Sequence, residues 1–268
     1  MILKDSFIHI PITGDGLNVK QGLAQTIRCT FLGNNSPDTD AIDYDGVVNG
    51  VIRDCRIYRF LGFNSDGIDT GEQCVDVLIE GNRIFFNSDK GVSVGQGSSV
   101  IMRKNLVVGC PLGVGVKDTG STIIVDQNTF VDCAEGVSVF EKNFGGGGGI
   151  ASVTNTIFTS CSLPVFFDAL SSITVAYSLS DTTPLSGPGN INTDPQFIDP
   201  LSLNFGLSTS SPAIDAGDPN HENDPDNSRV DIGAAYRYDP DDYPFDDLNT
   251  VVINEILANS GPGGDWIE

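Results

Sequence analysis

The sequence predicts an all-β fold, a single-stranded solenoid of the parallel β-helix type, and three observations predict it. A short phrase of alternating apolar residues recurs about every 24 residues between positions 15 and 161, a period typical of solenoids. Alternation of apolar with polar or small residues is the two-residue period of a strand. Glycine, Asn, Asp and Ser separate the phrases, as turns require, and no stretch carries helical spacing of useful length.

Two phrases define each coil. The first phrase begins in turn at Asp15, Asp40, Asp66, Lys90, Leu112 and Glu135. The second phrase places an Asn or a Cys two residues before an apolar residue, and it is centred on Cys29, Cys55, Asn82, Asn105, Asn128 and Asn155. We therefore expect six coils, stacked about 4.8 Å apart. A run of glycines at residues 145–149 interrupts them and is interpreted as a turn insertion.

Stacking places equivalent positions of successive coils in columns. The predicted inward column is Leu17, Ile42, Ile68, Val92, Val114 and Val137. The two predicted outward columns are Asn18, Asp43, Asp69, Ser93, Gly115, Ser138 and Lys20, Asp45, Gly71, Gly95, Lys117, Phe140. Any binding or catalytic chemistry of this strand is expected on the outward columns.

Composition limits the partners. The net charge of -22 argues against nucleic acid and against an anionic membrane, because both require a basic surface. No apolar run is long enough to span a bilayer, so membrane insertion is not expected. Cations such as calcium are the natural partners of so acidic a chain. We expect the protein to be a monomer.

The six cysteines follow the repeat. Cys29 and Cys55 occupy the second-phrase position, whereas Cys110, Cys133 and Cys161 share a position just before the next coil. We interpret them as buried free thiols that behave as small apolar residues. A disulfide between Cys29 and Cys55 is the alternative, and the spacing shows no zinc pattern.

Three regions are predicted along the chain. Residues 1–238 form the β-helix, with an incomplete first coil at 2–14 and an irregular C-terminal closing segment at 162–238. Residues 239–250 form an acidic linker by composition, and residues 251–268 begin another domain. Because the chain opens on the second phrase of a coil, the sequence predicts that it starts inside a longer protein.

Two resemblances support this division. The closing segment contains DPQFIDP, SPAIDAGDPN and DIGAAY and resembles the end of many secreted bacterial right-handed β-helix proteins of the pectin-lyase-like fold. This resemblance implies a secreted or cell-surface location and a cap on the solenoid; right-handed parallel connections are also the general preference. The segment VVINEILANSGPGGDWIE resembles the first strands of a lamin-tail domain, which implies an immunoglobulin-like sandwich.

Aspartates on consecutive coils predict a cation site. The candidate ligands are Asp40, Asp43, Asp66 and Asp69. Crowded carboxylates raise one another's pKa unless a cation neutralises them, and convergent oxygens suit Ca²⁺. The alternative is that Asp40 and Asp66 cap turns while the others are solvated.

The string SDGID at residues 65–69 is similar to the calcium motif of the β-helical pectate lyases of polysaccharide lyase family nine. The resemblance implies a calcium-dependent lyase that acts on uronate polymers, with a catalytic lysine on the following coil. Lys90 and Lys117 are the candidates, because a lysine beside a bound cation can remove the proton α to a carboxylate. The family's Gly-aromatic-Lys phrase is Gly91-Val92-Ser93 here, and the alternative for both lysines is an ion pair between coils.

Three functions remain open. The leading prediction is a polysaccharide-binding surface with Tyr44, Ser93 and Phe140 as contact residues, and the alternatives are the lyase and a purely structural spacer. A glycosidase of the polygalacturonase type, with Asp43 and Asp69 as paired carboxylates, ranks below the lyase because that family's motifs do not occur in the sequence.

Overall fold

The computed structural model describes residues 1–234 and two short strands near the C-terminus. Its strands are numbered β1 to β28 in chain order. The predicted linker at 239–250 and most of the predicted lamin-tail start at 251–268 lie outside the described residues. In that last region the backbones of β27 (Ile256–Leu257) and β28 (Trp266–Ile267) pair antiparallel.

Three parallel sheets form the solenoid, and each complete coil contributes one strand to each sheet. The first sheet contains β1 (Ile2–Lys4), β4 (Gln25–Ile27), β7 (Val51–Arg53), β10 (Val77–Glu80), β13 (Ser99–Arg103), β16 (Thr122–Asp126), β19 (Ile150–Thr154) and β22 (Ser172–Ala176). The second contains β2 (Phe7–His9), β5 (Thr30–Leu32), β8 (Arg56–Tyr58), β11 (Arg83–Phe85), β14 (Leu106–Val108), β17 (Thr129–Val131), β20 (Ile157–Thr159), β23 (Leu179–Ser180) and β24 (Ile191–Asn192). The third contains β3 (Leu17–Gly22), β6 (Ile42–Val47), β9 (Ile68–Gly71), β12 (Lys90–Val94), β15 (Leu112–Lys117), β18 (Glu135–Phe140) and β21 (Leu163–Phe167).

The predicted all-β parallel β-helix is confirmed. The first sheet has 8 strands, which correspond to the incomplete coil predicted at residues 2–14, the six predicted coils and one more coil after them. Beyond it, β25 (Phe197–Asp199) and β26 (Asn204–Leu207) pair antiparallel around a 3-10 turn at Pro200–Ser202. This short turn is the helical segment found among the described residues. No helix among those residues is long and apolar enough to cross a membrane.

The core fills the space between the three sheets. The strand register joins the predicted inward column in order, Leu17, Ile42, Ile68, Val92, Val114 and Val137, and five of its six residues are fully buried. Aromatic rings also stack from coil to coil, with ring centroids 5.3 Å apart for Phe130 and Phe158. Contact between equivalent side chains of neighbouring coils therefore stabilises the stack.

A polar ladder runs through the turn between the first and second sheets. The backbone N–H of Cys55 donates to Asn82 Oδ1 at 2.9 Å, that of Asn82 to Asn105 Oδ1 at 2.8 Å, and that of Asn105 to Asn128 Oδ1 at 2.9 Å. Each buried N–H of this turn is thus satisfied by the side chain of the next coil.

The prediction that Asn155 continues this ladder is wrong by one residue. Phe130 pairs with Phe158, so the position equivalent to Asn128 is Thr156, whose Oγ1 accepts from the N–H of Asn128 at 3.4 Å. Asn155 itself has a positive φ of 48° and belongs to the turn before the ladder.

Candidate functional site

The outward face of the third sheet holds the candidate site residues. The register joins the first predicted outward column, Asn18, Asp43, Asp69, Ser93, Gly115 and Ser138, and extends it to Phe166 on β21. Lys20, Asp45 and Gly71 pair in the second column, as do Lys117 and Phe140 further along. We call this surface the outward face.

Asp40 and Asp66 lie at the turn that precedes the third sheet, and they cap it. Asp15 Oδ1 accepts from the backbone N–H of Asp40 at 3.0 Å, Asp40 Oδ1 from that of Asp66 at 2.6 Å, and Asp66 Oδ1 from that of Lys90 at 2.9 Å. Each carboxylate therefore anchors the next coil. Asp40 and Asp66 therefore cap turns, as the alternative to the cation site states.

Asp43 and Asp69 stand next to each other on adjacent coils. Lys20 Nζ lies 3.8 Å from Asp43 Oδ2, and Lys117 Nζ lies 3.8 Å from Asp69 Oδ1. Asp69 Oδ1 is buried and has no hydrogen-bond partner among the described residues. Since carboxylate oxygens are strong acceptors, this atom is left for a donor or a cation.

Ser93 follows Asp69 in the column and is fully buried. Its Oγ also lacks a hydrogen-bond partner within the part of the chain that the structure describes. An unpaired buried polar atom costs about 1 to 3 kcal/mol. Two such atoms on consecutive coils therefore mark the centre of the outward face.

The side chains of the two predicted catalytic lysines lie over the outward face, one on the following coil and one on the preceding coil. A Cβ added at Gly115 would lie 2.9 Å from Lys90 Cδ, and one added at Gly95 would lie 3.0 Å from Lys117 Cε. Lys90 thus extends over the following coil, and Lys117 extends back over the preceding one. The glycines at 95 and 115, visible in the sequence, are the signal for the space that these side chains occupy.

Lys90 does not fit the role of general base. Its ammonium group contacts Asp66 Oδ1 at 3.3 Å and also contacts Asp89. Burial opposes the charge, but the two carboxylates outweigh it and raise the pKa of Lys90. Lys117 contacts a single carboxylate, that of Asp69 at 3.8 Å, and is therefore the better of the two candidates.

Crowding of the aspartates perturbs their titration. Burial, reinforced by the charge of Asp66, raises the pKa of Asp40 to about 8. Burial and the charge of Asp69 raise the pKa of Asp43 to about 6. Burial also raises the pKa of Asp66 to about 6, although Lys90 opposes the shift. A cation would favour the charged form of all three carboxylates.

The placement predicted for Tyr44 is wrong. Its side chain is fully buried in the core, and its hydroxyl lies 2.7 Å from Thr26 Oγ1. Tyr44 pairs in register with Val19 and Thr70 on the inward side. The reason is the two-residue period, since Tyr44 lies between the outward residues Asp43 and Asp45.

Aromatic side chains continue the outward face beyond the lysines. Phe140 is partly exposed, and its role as a contact residue stays a prediction. Phe166, which the sequence reasoning missed, is 37% exposed. It was missed because the repeated phrase fades after residue 161.

The described residues contain no group of three or more His, Cys, Asp or Glu side chains arranged to hold a metal ion. The calcium site therefore remains a prediction, and Asp43 and Asp69 with Ser93 are the residues that fit it best. All six cysteines are buried and free, as the interpretation of the repeat predicts.

Comparison with known proteins agrees with this architecture. The sequence profile of the family described as "Right handed beta helix region" matches residues 12–181, more than half of the chain. No curated protein matches the chain.

Proposed function

This chain belongs to the right-handed β-helix family, and on that premise we propose that it is the β-helix region of a secreted or surface-anchored bacterial protein that presents a polysaccharide-binding surface. The outward face is the proposed surface. Right-handed β-helices, like other widespread folds, do not specify an activity, so the proposal rests on the chemistry of the site. The secreted location, the pectin-lyase-like assignment and the lamin-tail start are parts of this proposal that rest on the sequence resemblances.

The observation that carries the proposal is that two buried polar atoms of the outward face, Asp69 Oδ1 and Ser93 Oγ, have no hydrogen-bond partner among the described residues. The carboxylate oxygen can only accept, whereas the hydroxyl can donate and accept. A sugar offers hydroxyl groups that do both. Since both atoms are buried, a saccharide bound above this point would satisfy them after a side-chain movement that uncovers them.

A divalent cation fits the same place. Asp43 and Asp69 are register neighbours, so their backbones lie about 4.8 Å apart. Burial and the charge of Asp69 raise the pKa of Asp43, and Ca²⁺ would relieve the repulsion between the two carboxylates. A cation held here would also neutralise a uronate carboxylate, which the net charge of -22 otherwise repels.

The aromatic end of the face suits the rest of a chain of sugars. Phe140 and Phe166 lie on consecutive coils beyond Lys117, and their apolar rings can pack against the C–H face of a sugar. Ser138 and Gly115 separate these rings from Asp69, and the side chain of Lys90 lies over Gly115. A polymer would accordingly lie along the solenoid axis.

Calcium is expected to raise the melting temperature of the protein, because a ligand that binds only the folded state stabilises it by about 2.7 kcal/mol at a hundred times its Kd. Asp69→Asn should abolish the shift, and it should also weaken retention of the protein on an immobilised uronate polymer. Asp132→Asn is the matched control, because it removes the same charge from an exposed turn away from the outward face.

The outcomes separate the proposals. A calcium shift with polymer retention supports the binding surface. Retention without a calcium shift supports the surface and removes the cation. If the unaltered protein shows neither the calcium shift nor the retention, the proposal is contradicted and a purely structural spacer is favoured.

A second candidate, the calcium-dependent lyase, is favoured by one contact. Lys117 Nζ lies 3.8 Å from Asp69 Oδ1, so a base and a candidate cation ligand meet on the same face. In β-elimination Lys117 would take the proton α to the uronate carboxylate. The electron pair would form the carbon–carbon double bond, and the glycosidic oxygen would leave with its bonding electrons.

The lyase makes a distinct prediction. Unsaturated sugars that absorb in the ultraviolet should accumulate from a uronate polymer, and Lys117→Ala should abolish their formation. Lys142→Ala, which removes an exposed lysine on the following coil, should keep the activity. Polymer binding without any unsaturated product would exclude the lyase and leave the binding surface intact.

A further inference from the structure

Residues 211–234, which we call the docked segment, return to the side of the solenoid. The N–H of Asp218 donates to Asn155 Oδ1 at 2.7 Å, and the N–H of Gly233 donates to Asn155 O at 2.7 Å. The N–H of Ala234 donates to Thr129 Oγ1 at 3.0 Å. The segment also adds apolar contacts to the coils, in a small cluster formed by Ile157, Leu179, Ala213 and Ile232.

One ion pair in this interface joins residues far apart in the sequence. His221 Nε2 lies 3.0 Å from Asp126 Oδ2, at the end of β16. His221 Nδ1 lies 2.9 Å from the backbone oxygen of Glu222. Both ring nitrogens therefore face oxygen atoms that can only accept a hydrogen bond.

This geometry selects the protonation state of the ring. A neutral imidazole carries one N–H and one lone pair, whereas an imidazolium carries two N–H groups. In the neutral state one lone pair of His221 would point at an acceptor oxygen. Only the protonated ring donates to both the carboxylate and the carbonyl.

Asp126 is held in place to accept the hydrogen bond from His221 Nε2. Its other oxygen, Oδ1, accepts from Asn155 Nδ2 at 2.8 Å and from Thr154 Oγ1 at 3.0 Å. The neighbouring cation in the column, Arg103, instead contacts Glu80 at 2.6 Å. The partner of the Asp126 charge is thus the histidine.

We propose that His221 is a pH-sensitive latch, which holds the docked segment against the coils while it is protonated and weakens that docking when it loses its proton. The ionisable groups that face it are Asp126 from the coils and Glu222 from its own segment. Both are negative, so both favour the protonated ring.

The direction of the titration agrees with the latch. Burial lowers the pKa of His221, but the Glu222 carbonyl and the Asp126 carboxylate outweigh it and raise the pKa above 6.5. For a group whose folded pKa is raised, the stabilisation is complete below the unfolded pKa and is lost as pH rises through the folded one. The latch therefore loosens as pH rises above about 6.5.

The chain supplies its own control, because it contains two histidines, His9 and His221. His9 is exposed on β2, at the first coil. NMR titration of the full chain, with His9→Gln and His221→Gln to assign the resonances, should give His221 the higher pKa. Asp126→Asn should move the pKa of His221 towards that of His9.

Amide hydrogen exchange measures directly how firmly the docked segment is held against the coils. After correction for the intrinsic rate, protection of the Asp218, Gly233 and Ala234 amides should fall between pH 6 and pH 8 in the unaltered protein and in His9→Gln. The fall should be about tenfold for each unit by which docking raises the pKa. In His221→Gln the protection should no longer depend on pH in this range.

Two results would overturn the latch. One is a pKa of His221 at or below that of His9 in the unaltered protein, a measurement that does not depend on any variant folding. The other is the same pH dependence of amide protection in His221→Gln as in the unaltered protein.

Discussion

Replacement of Asn105 by alanine is expected to lower the free energy of unfolding by about 3 to 5 kcal/mol. Asn105 is fully buried, and its Nδ2 donates to Ile79 O and Arg103 O, each at 2.9 Å. Its Oδ1 accepts from the N–H of Asn82 at 2.8 Å. Alanine would leave these buried groups without partners, and chemical denaturation followed by circular dichroism measures the loss.

Two further variants serve as comparisons for Asn105→Ala. Asn105→Thr should lose less stability than Asn105→Ala, because Thr156 already occupies the same ladder position and accepts the N–H of Asn128. Asn35→Ala, at an exposed position, should stay within about 0.5 kcal/mol of the unaltered protein. A loss below about 1 kcal/mol for Asn105→Ala would contradict the importance given to the ladder.

Asp40→Asn is expected to stabilise the protein at pH 8 by about 2 to 5 kcal/mol and to change it little at pH 4. The folded pKa of Asp40 is raised to about 8 by burial and by Asp66, so the folded state keeps a proton that the unfolded chain releases. Stability is therefore lost as pH rises from about 4 to 8. Asparagine removes the charge and keeps an oxygen for the N–H of Asp66.

Asp118 offers a control of opposite sign. Hydrogen bonds from Asn143 and Lys142 outweigh the effect of burial and lower the pKa of Asp118. Asp118→Asn should therefore destabilise the protein at pH 8, where Asp40→Asn stabilises it. Thermal melts of both variants across the pH range measure the difference, and destabilisation by Asp40→Asn at pH 8 would show that its charge is already neutralised.

The coils could be predicted because their signal is local and repeated. The alternation of apolar residues determines which side of each strand faces the core, and stacking carries that choice from coil to coil. The same rule predicts that Tyr44 faces the core, since its neighbours Asp43 and Asp45 belong to the outward columns. Asn155 was misplaced because the glycine insertion at 145–149 lengthens its coil, so that the interval from Asn128 to Thr156 exceeds the usual period.

The details of the site depend on side-chain directions, which a column of sequence positions does not contain. The aliphatic part of Lys90 lies over Gly115 while its ammonium group contacts Asp66, and Lys117 reaches back over Gly95 towards Asp69. The choice follows from the space above each glycine and from the position of the nearest carboxylate. The contact of His221 with Asp126 could not be predicted from the sequence, because 95 positions separate the two residues and no local pattern relates them.

The docked segment makes the stack of coils directional. In a solenoid each coil contacts only its neighbours, so stability is transmitted one coil at a time. The hydrogen bonds of the docked segment fall on Asp126, Thr129 and Asn155, and they tie these later coils together from outside. Within the described coils, fraying is therefore expected to advance towards the coils of β16 to β20 from those that the docked segment does not contact, and on refolding the tied coils would serve as the template on which the others wind.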